Sequence, residues 1–403
     1  MNLLSITGGI MSNSDQPTYT RREFLKRSAL LGGAALFPST AGSWFNPQQK
    51  YYQKWRNIEA LPDEKKLNIA LVGLGRYATG ELAPALQHTK LCKLNGIVTG
   101  HPSKAKRWKS KYNIPDKNIY NYKTYDNIAG NDDIDIIYIV LPNAMHAEYT
   151  IRGAQAGKHM ISEKPMATSV KDAQAMVDAC QKAGKKLSIG YRLHFEPYNE
   201  EIMRIGQHEV FGPVTQIHGA NGFTIHDPSR WRLNKKMAGG GPLMDMGIYE
   251  VQAAIYTMGK LPLSVTANKQ SGGQRLFSQV EKSINWTFEF PGGVKAKGKT
   301  SYAQNFSNHH VKEQNGWAWL QPAFYYGGLQ GKTSKGSMNF PQVNQQTLQM
   351  DAFADCILND HPSRVPGTMG VRDIKILMSI YEAAGKGKQV HFDWSNDTPL
   401  DKV

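Results

Sequence analysis

The sequence predicts an α/β fold in two domains, and three observations carry that prediction. Short apolar runs suited to buried parallel strands recur at residues 67–74, 92–98, 134–141 and 159–161. The first runs straight into a glycine turn followed by a helical pattern. After Lys186 the rhythm changes, and residues 214–219, 283–290 and 294–301 alternate apolar and polar with a period of two. Helical periodicity returns at 348–358 and 374–384. A chain of 403 residues is long enough for two domains with ample core.

The first strand ends in Gly73-Leu74-Gly75-Arg76-Tyr77-Ala78, with a helical pattern through Leu82, Leu86 and beyond. This is the Gly-x-Gly-x-x-Ala fingerprint in the strand-to-helix setting it needs, and it predicts a Rossmann dinucleotide-binding domain over residues 66–186. Gly73 permits the tight turn, Gly75 lets backbone reach a pyrophosphate, and Ala78 allows close helix–strand packing. The helix N-terminus offers free N–H groups to the phosphates.

The end of the second strand selects the dinucleotide. It closes on Thr99-Gly100-His101-Pro102-Ser103-Lys104, with no carboxylate to accept from a free ribose 2′-hydroxyl. The hydroxyl of Thr99 and the cations Lys104, Lys106 and Arg107 suit a 2′-phosphate, which carries about two negative charges. NADP is therefore expected over NAD; the plain alternative is a solvated helix face.

The third strand ends in Leu141-Pro142-Asn143-Ala144-Met145-His146 and the fourth in Glu163-Lys164-Pro165. Ligands of open α/β sheets bind beyond the carboxyl ends of the strands. Asn143, His146, Glu163 and Lys164 are thus expected to face one crevice, and the Lys164–Pro165 bond is a candidate cis peptide.

Residues 239–249 read Gly-Gly-Gly-Pro-Leu-Met-Asp-Met-Gly-Ile-Tyr. The glycines are expected to let backbone approach a flat ligand. On a helix, Asp245 and Tyr249 at i and i+4 share one face. A carboxylate and a phenol beside a lysine can move a proton on and off a sugar hydroxyl, and Lys164 is the expected lysine. The bland alternative is a helix N-terminus with a half-buried tyrosine.

The chain resembles the glucose–fructose oxidoreductase, inositol dehydrogenase and rhizopine-catabolism (Gfo/Idh/MocA) family over residues 66–395. The hallmarks are Glu163-Lys164-Pro165 and Gly-Gly-Gly-x-Leu-x-Asp-x-Gly-x-Tyr. The stretches 141–148, 163–170, 190–194 and 231–233, and Tyr249 where many members carry His, are similar to its glucose–fructose oxidoreductase branch. The resemblance implies a second α/β domain, residues 187–395, with a large open, mainly antiparallel sheet that pairs subunits into a dimer or tetramer. It implies a sugar substrate and Tyr249, Lys164 and Asp245 as the catalytic group. It also implies cofactor contacts by Tyr122, Arg192, Trp231 and Arg232, and a substrate contact by His194.

Composition narrows the function. The formal net charge is +15, which raises nucleic-acid binding, but the charges are scattered and form no recognised reading motif. Cys92, Cys180 and Cys356 are spaced neither for pairing nor for a metal. Residues 20–26, Thr-Arg-Arg-Glu-Phe-Leu-Lys, carry the twin-arginine export pattern. An apolar region at 29–37, too short for a membrane span, and small residues at 39–41 complete a signal over 1–41. Residues 42–65, with Trp44, Phe45, Tyr51, Tyr52 and Trp55, read as an arm that covers the cofactor or a neighbouring subunit.

Export by the twin-arginine translocase carries folded proteins with cofactor in place. An exported dehydrogenase that released NADP would turn over once. The expectation is a periplasmic enzyme that keeps its NADP, oxidises one sugar at C1 to the lactone and reduces a second carbonyl sugar. The alternatives are an NAD(P)-dependent glycosidase, an ordinary sugar or polyol dehydrogenase, and a catalytically idle binding protein. Residues 222–230 and 302–330 are expected to select the sugar.

Overall fold

The computed structural model describes residues 58–271, 275–395, 397 and 400. The signal and the aromatic part of the arm lie outside the described residues. Six strands form the first sheet: β1 (Leu67–Val72), β2 (Cys92–Val98), β3 (Ile119–Tyr120), β4 (Ile136–Ile139), β5 (His159–Ser162) and β6 (Leu187–Ile189). Their order is β3-β2-β1-β4-β5-β6, and every pair is parallel. All residues of β1 and β4 are buried, as expected for largely apolar strands of a parallel sheet. The order reverses between β1 and β4, which opens a ligand crevice at their carboxyl ends.

The helix after β1 is short. A widened π turn, Ala78–Leu82, leads into α1 (Ala83–Leu86). At its end Thr89 Oγ lies 2.8 and 2.7 Å from the Leu86 and Cys92 carbonyls and can donate to one of them, where the chain turns into β2. The helices α2 (Pro102–Tyr112), α3 (His146–Gln155) and α4 (Val170–Lys182) follow. Ser169 caps α4 by accepting from Asp172 N.

The second sheet has nine strands: β7 (Val214–Gly222), β8 (Ser264–Ser271), β9 (Glu281–Glu289), β10 (Lys295–Ser301), β11 (Phe306–Glu313), β12 (Gly316–Leu320), β13 (Gly331–Thr333), β14 (Gly336–Ser337) and β15 (Val390–His391). Their order is β14-β13-β12-β11-β7-β10-β9-β8-β15. Only β7 and β10 pair in parallel. The helices of this part are α5 (Pro197–Gln207), α6 (Lys235–Ala238), α7 (Ile248–Met258), α8 (Gln345–Leu358) and α9 (Gly367–Lys386). Helices α7 and α9 cover one face of the sheet. The other is open, with Lys295, Lys297, His310, Lys312 and Trp317 exposed.

Two expected boundaries move. Strand β6 pairs with β5, so the first domain extends past residue 186. Helix α8 returns from the second domain to the first, where Met350, Phe353 and Cys356 pack with Ile69, Leu71 and Tyr138. Asp351 fixes it there by accepting from the backbone N–H groups of Lys90 and Leu91 at 2.9 Å. Among the described residues, no helix is long and apolar enough to cross a membrane.

Candidate active site

The glycine turn after β1 has two different glycines. Gly73 has φ +94° and donates to Val98 O; a Cβ there would lie 2.5 Å from the Val140 carbonyl oxygen. Gly75 has nothing within 4 Å of a would-be Cβ, so its backbone is open to the crevice. That opening fits the close approach of a pyrophosphate. Ala78 is fully buried at the helix start, while Arg76 is exposed and Tyr77 half-buried in the turn.

At the end of β2, Lys104 Nζ reaches back to the Leu74 carbonyl at 3.1 Å, which brings its ammonium to the glycine turn. Thr99 is buried, and its hydroxyl accepts from His101 N at 3.3 Å. Lys106 and Arg107 are exposed on α2. The Tyr122 ring covers Gly100, where a Cβ would meet it at 3.1 Å.

The wall from β4 and β5 uses its polar groups mainly on itself. Leu141 packs on Gly73, and Pro142 is half-buried beside it. Asn143 donates to the Ala238 carbonyl at 2.8 Å and ties the crevice wall to α6. His146 does not face the crevice. It is 1% exposed, and its ring nitrogens lie 2.9 and 2.8 Å from the carbonyls of Pro165 and Leu141. It staples the Lys164–Pro165 bond, which is cis, to the end of β4 from behind. The Glu163 carboxylate accepts from the Tyr138 hydroxyl at 2.6 Å, and Gly190 leaves room for it. Burial pushes the Glu163 pKa up.

The run 239–249 folds as a cap, a π turn (Leu243–Gly247) and α7. Its glycines serve packing within the protein rather than ligand approach. A Cβ on Gly239 would meet Thr168 at 2.7 Å, and one on Gly241 the Glu281 carbonyl oxygen at 2.7 Å. Gly240 lies under Tyr381. Glu281 caps this start by accepting from Gly241 N and Leu243 N at 3.0 and 3.2 Å, and from Tyr381 Oη at 2.7 Å. The π turn means that Asp245 and Tyr249 do not share the face of a regular α-helix.

Lys164 joins them instead. Its Nζ donates to the Asp245 carbonyl at 2.5 Å, lies 3.4 Å from Asp245 Oδ1, and stands 4.6 Å from the Tyr249 ring centre. Asp245 Oδ2 accepts from Arg232 Nε at 2.7 Å and from the Tyr302 hydroxyl at 3.0 Å. Burial favours the neutral acid, but Arg232, Lys164 and these hydrogen bonds outweigh it and hold Asp245 at about 2. Arg232 also lies over the Trp231 ring at 4.7 Å. The Arg192 guanidinium faces the other side of this group, 5.0 Å from Tyr249 and 4.4 Å from Tyr326. Phe324 stacks on Tyr249 at 6.2 Å.

The comparisons match both halves of the chain. Residues 67–191 match the family described as "Oxidoreductase family, NAD-binding Rossmann fold", and residues 200–316 match the GFO/IDH/MocA C-terminal domain. The chain belongs to the Gfo/Idh/MocA oxidoreductase family. An aldose–aldose oxidoreductase from Caulobacter crescentus is 39% identical, covering 81% of this chain and 100% of that one, with a TM-score of 0.79. An NADP-dependent D-xylose 1-dehydrogenase of Haloarcula marismortui is 27% identical over 83% of this chain and 96% of its own. An Escherichia coli D-glucoside 3-dehydrogenase is 26% identical over 64% and 79%.

Against the site expected for this Gfo/Idh/MocA protein, His194 needs correction. It is 1% exposed and packs edge-on against Tyr256 at 4.6 Å, inside the protein. Burial, with Arg364 and Arg372 nearby, pushes it down to about 3. Arg192 faces Tyr249 and Tyr326, and its hydrogen bonds go to Phe324 O, Tyr325 O and Gln345 Oε1. Tyr302, Glu281, Phe324 and Tyr326 join the site without a motif in the sequence that marks them. Tyr302, Phe324 and Tyr326 fall in the stretch 302–330, whose richness in polar and aromatic residues is its only local signal.

Proposed function

We propose that this chain is a periplasmic sugar oxidoreductase that keeps NADP bound and passes a hydride between two sugars. The observation that carries the reading is Lys164, which joins Asp245 to Tyr249 in the crevice that opens above Gly75. The 2′-phosphate preference rests on Lys104 at the glycine turn, and is supported by the NADP dependence in the name of the Haloarcula relative.

Bound NADP supplies the hydride acceptor and, once reduced, the donor. Tyr249, as the phenolate, takes the proton from the C1 hydroxyl of an aldose and becomes the phenol as the C1–H hydride leaves for the cofactor, and the aldose becomes a lactone. Two cations, Lys164 and Arg192, face its ring at 4.6 and 5.0 Å. Asp245 aims Lys164, while Arg232 and Tyr302 fix Asp245. In the second half-reaction Tyr249 returns the proton to the oxygen of the carbonyl being reduced. At 7% exposure Tyr249 is shielded from bulk water. Residues 1–41 are assigned to twin-arginine export, and the open face of the second sheet, with Trp317 exposed, to a homo-oligomer.

The test uses purified protein with no added nucleotide, a C1-deuterated aldose and a second carbonyl sugar. Deuterium should appear in the reduced product over many turnovers, and denaturation should release NADP. Deuterium lost to added free NADP, with turnover only while it is supplied, would identify an ordinary dehydrogenase.

A further inference from the structure

The segment 321–329 crosses from the second domain to the glycine turn. Its base is fixed by the second domain. Ser307 Oγ accepts from Ala323 N and Phe324 N at 3.1 and 3.0 Å. Arg192 donates to Phe324 O at 2.6 Å and to Tyr325 O at 3.1 Å, and Gln345 Nε2 to Tyr325 O at 3.0 Å. Gln342 accepts from Gly328 N at 2.8 Å. Phe324 is buried, yet the next two side chains, Tyr325 and Tyr326, are 52% and 46% exposed. The backbone here is held, and these two aromatic side chains are open to a ligand.

The Tyr326 ring makes two contacts. One face carries the Arg192 guanidinium at 4.4 Å, and the ring meets Tyr77 of the glycine turn at 5.6 Å. Tyr77 stands two residues beyond Gly75, whose open side faces the crevice. A dinucleotide held at Gly75 would therefore lie next to the joined rings of Tyr77 and Tyr326.

We propose that the segment 321–329 is a strap that retains the dinucleotide, with Tyr326 on Tyr77 as its latch and Arg192 as the rivet. This rests on the reading of a bound NADP given above. It moves retention from the N-terminal arm to a contact between the two domains of the same subunit. The Tyr326 hydroxyl is not needed for it; the ring is.

The test is the release rate of NADPH from loaded protein into excess NADP, followed by fluorescence. Tyr326→Ala should release about tenfold faster or more, since it loses an aromatic contact and a cation–π contact. Tyr326→Phe should release at the wild-type rate. Tyr77→Ala combined with Tyr326→Ala should release no faster than the faster single variant, because both break one contact. Position 326 is half exposed, so melting temperatures should match wild type. Wild-type release from Tyr326→Ala, or multiplicative effects in the double variant, would overturn the latch while leaving hydride transfer intact. Wild-type protein that binds no NADPH would overturn both.

Discussion

Helix α7 and the turn before it send polar side chains into two surroundings. At the start, Asp245 and Tyr249 meet Lys164, Arg232, Tyr302 and Arg192. Further along, Gln252 and Tyr256 meet His194, Arg372 and Asp373 inside the protein. Both carboxylates are buried, Asp245 at 7% exposure and Asp373 at 0%. Their acidities diverge. Asp245 is held at about 2, whereas burial pushes Asp373 up to about 6 despite Arg372, Tyr191 and Gln252. The donors explain the difference. Asp245 receives a guanidinium N–H at 2.7 Å and has an ammonium at 3.4 Å, while Asp373 receives an amide N–H at 2.9 Å and the Arg372 guanidinium donates to the Tyr256 hydroxyl. Burial alone thus marks neither a charged site nor a neutral core. The number of cations aimed at the carboxylate decides.

The largest effect should follow from removing the proton carrier of the charged cluster. Tyr249→Phe deletes one hydroxyl and leaves the packing on Phe324 and the two cations in place. Turnover should fall about 10²–10⁴-fold, the usual cost of losing acid–base catalysis. NADP content after denaturation should stay as in wild type. Near-normal turnover would mean that another group carries the proton.

The next pair of variants sets the two carboxylates against each other. Asp245→Ala leaves Lys164 and Arg232 without their counter-charge and should destabilise the fold by about 3 kcal/mol at pH 7. Asp245 sits below the ordinary aspartate value of about 3.9, so its contribution is present above that pH and is lost as the pH falls through about 2. Asp373 sits above it, so its contribution is full below about 3.9 and is lost as the pH rises through about 6. Asp373→Asn keeps the acceptor for Gln252 and removes the ionisation. Relative to wild type it should therefore gain about 3 kcal/mol between pH 4 and pH 8. Urea unfolding across that range measures both. Parallel curves for wild type and Asp373→Asn would mean that the inner cluster tolerates charge as the crevice does.

Much of this architecture is legible in the sequence because its signals are local. Apolar runs such as 67–72 mark buried strands, and Gly73, Gly75 and Ala78 lie within one turn. Lys164, Asp245 and Tyr249 lie within two short motifs. Tyr302 and Glu281 are not legible, since they reach Asp245 and Leu243 across 57 and 38 residues of chain. A motif also fixes a position without fixing the direction of its side chain. His146 and His194 stand in matching stretches, yet both turn away from the crevice. The helical periodicity at 348–358 announces a helix, but not that it returns to the first sheet.

Lys104 tests the outer end of the charged region, where the effect should be smaller. Lys104→Ala removes the ammonium at the Leu74 carbonyl. Its charge-assisted bond to a 2′-phosphate is worth about 1.5–3 kcal/mol. NADP affinity should fall by that amount while NAD affinity holds, as competitive titration of both nucleotides would detect. An equal loss for both would place Lys104 in the support of the turn rather than in the choice of nucleotide.

The smallest effect on rate is expected from His194→Phe, and it probes the border between the clusters. Burial keeps the imidazole neutral, with a pKa of about 3, so no charge is lost near pH 7. A phenyl ring can keep the edge-on contact with Tyr256, a geometry worth about 0.5–1.5 kcal/mol beyond its buried area. Neither ring nitrogen of His194 has a hydrogen-bond partner among the described residues, and the Gln252 amide donates to Asp373 instead, so no hydrogen bond is lost. Stability should therefore change by less than about 1.5 kcal/mol, as for other shape-preserving core replacements. Both kcat and KM for the sugar should remain at wild-type values, because no atom of His194 reaches the crevice group. A raised sugar KM with an unchanged melting temperature would show that the inner cluster touches substrate. The neutral interior and the charged crevice would then be one continuous site.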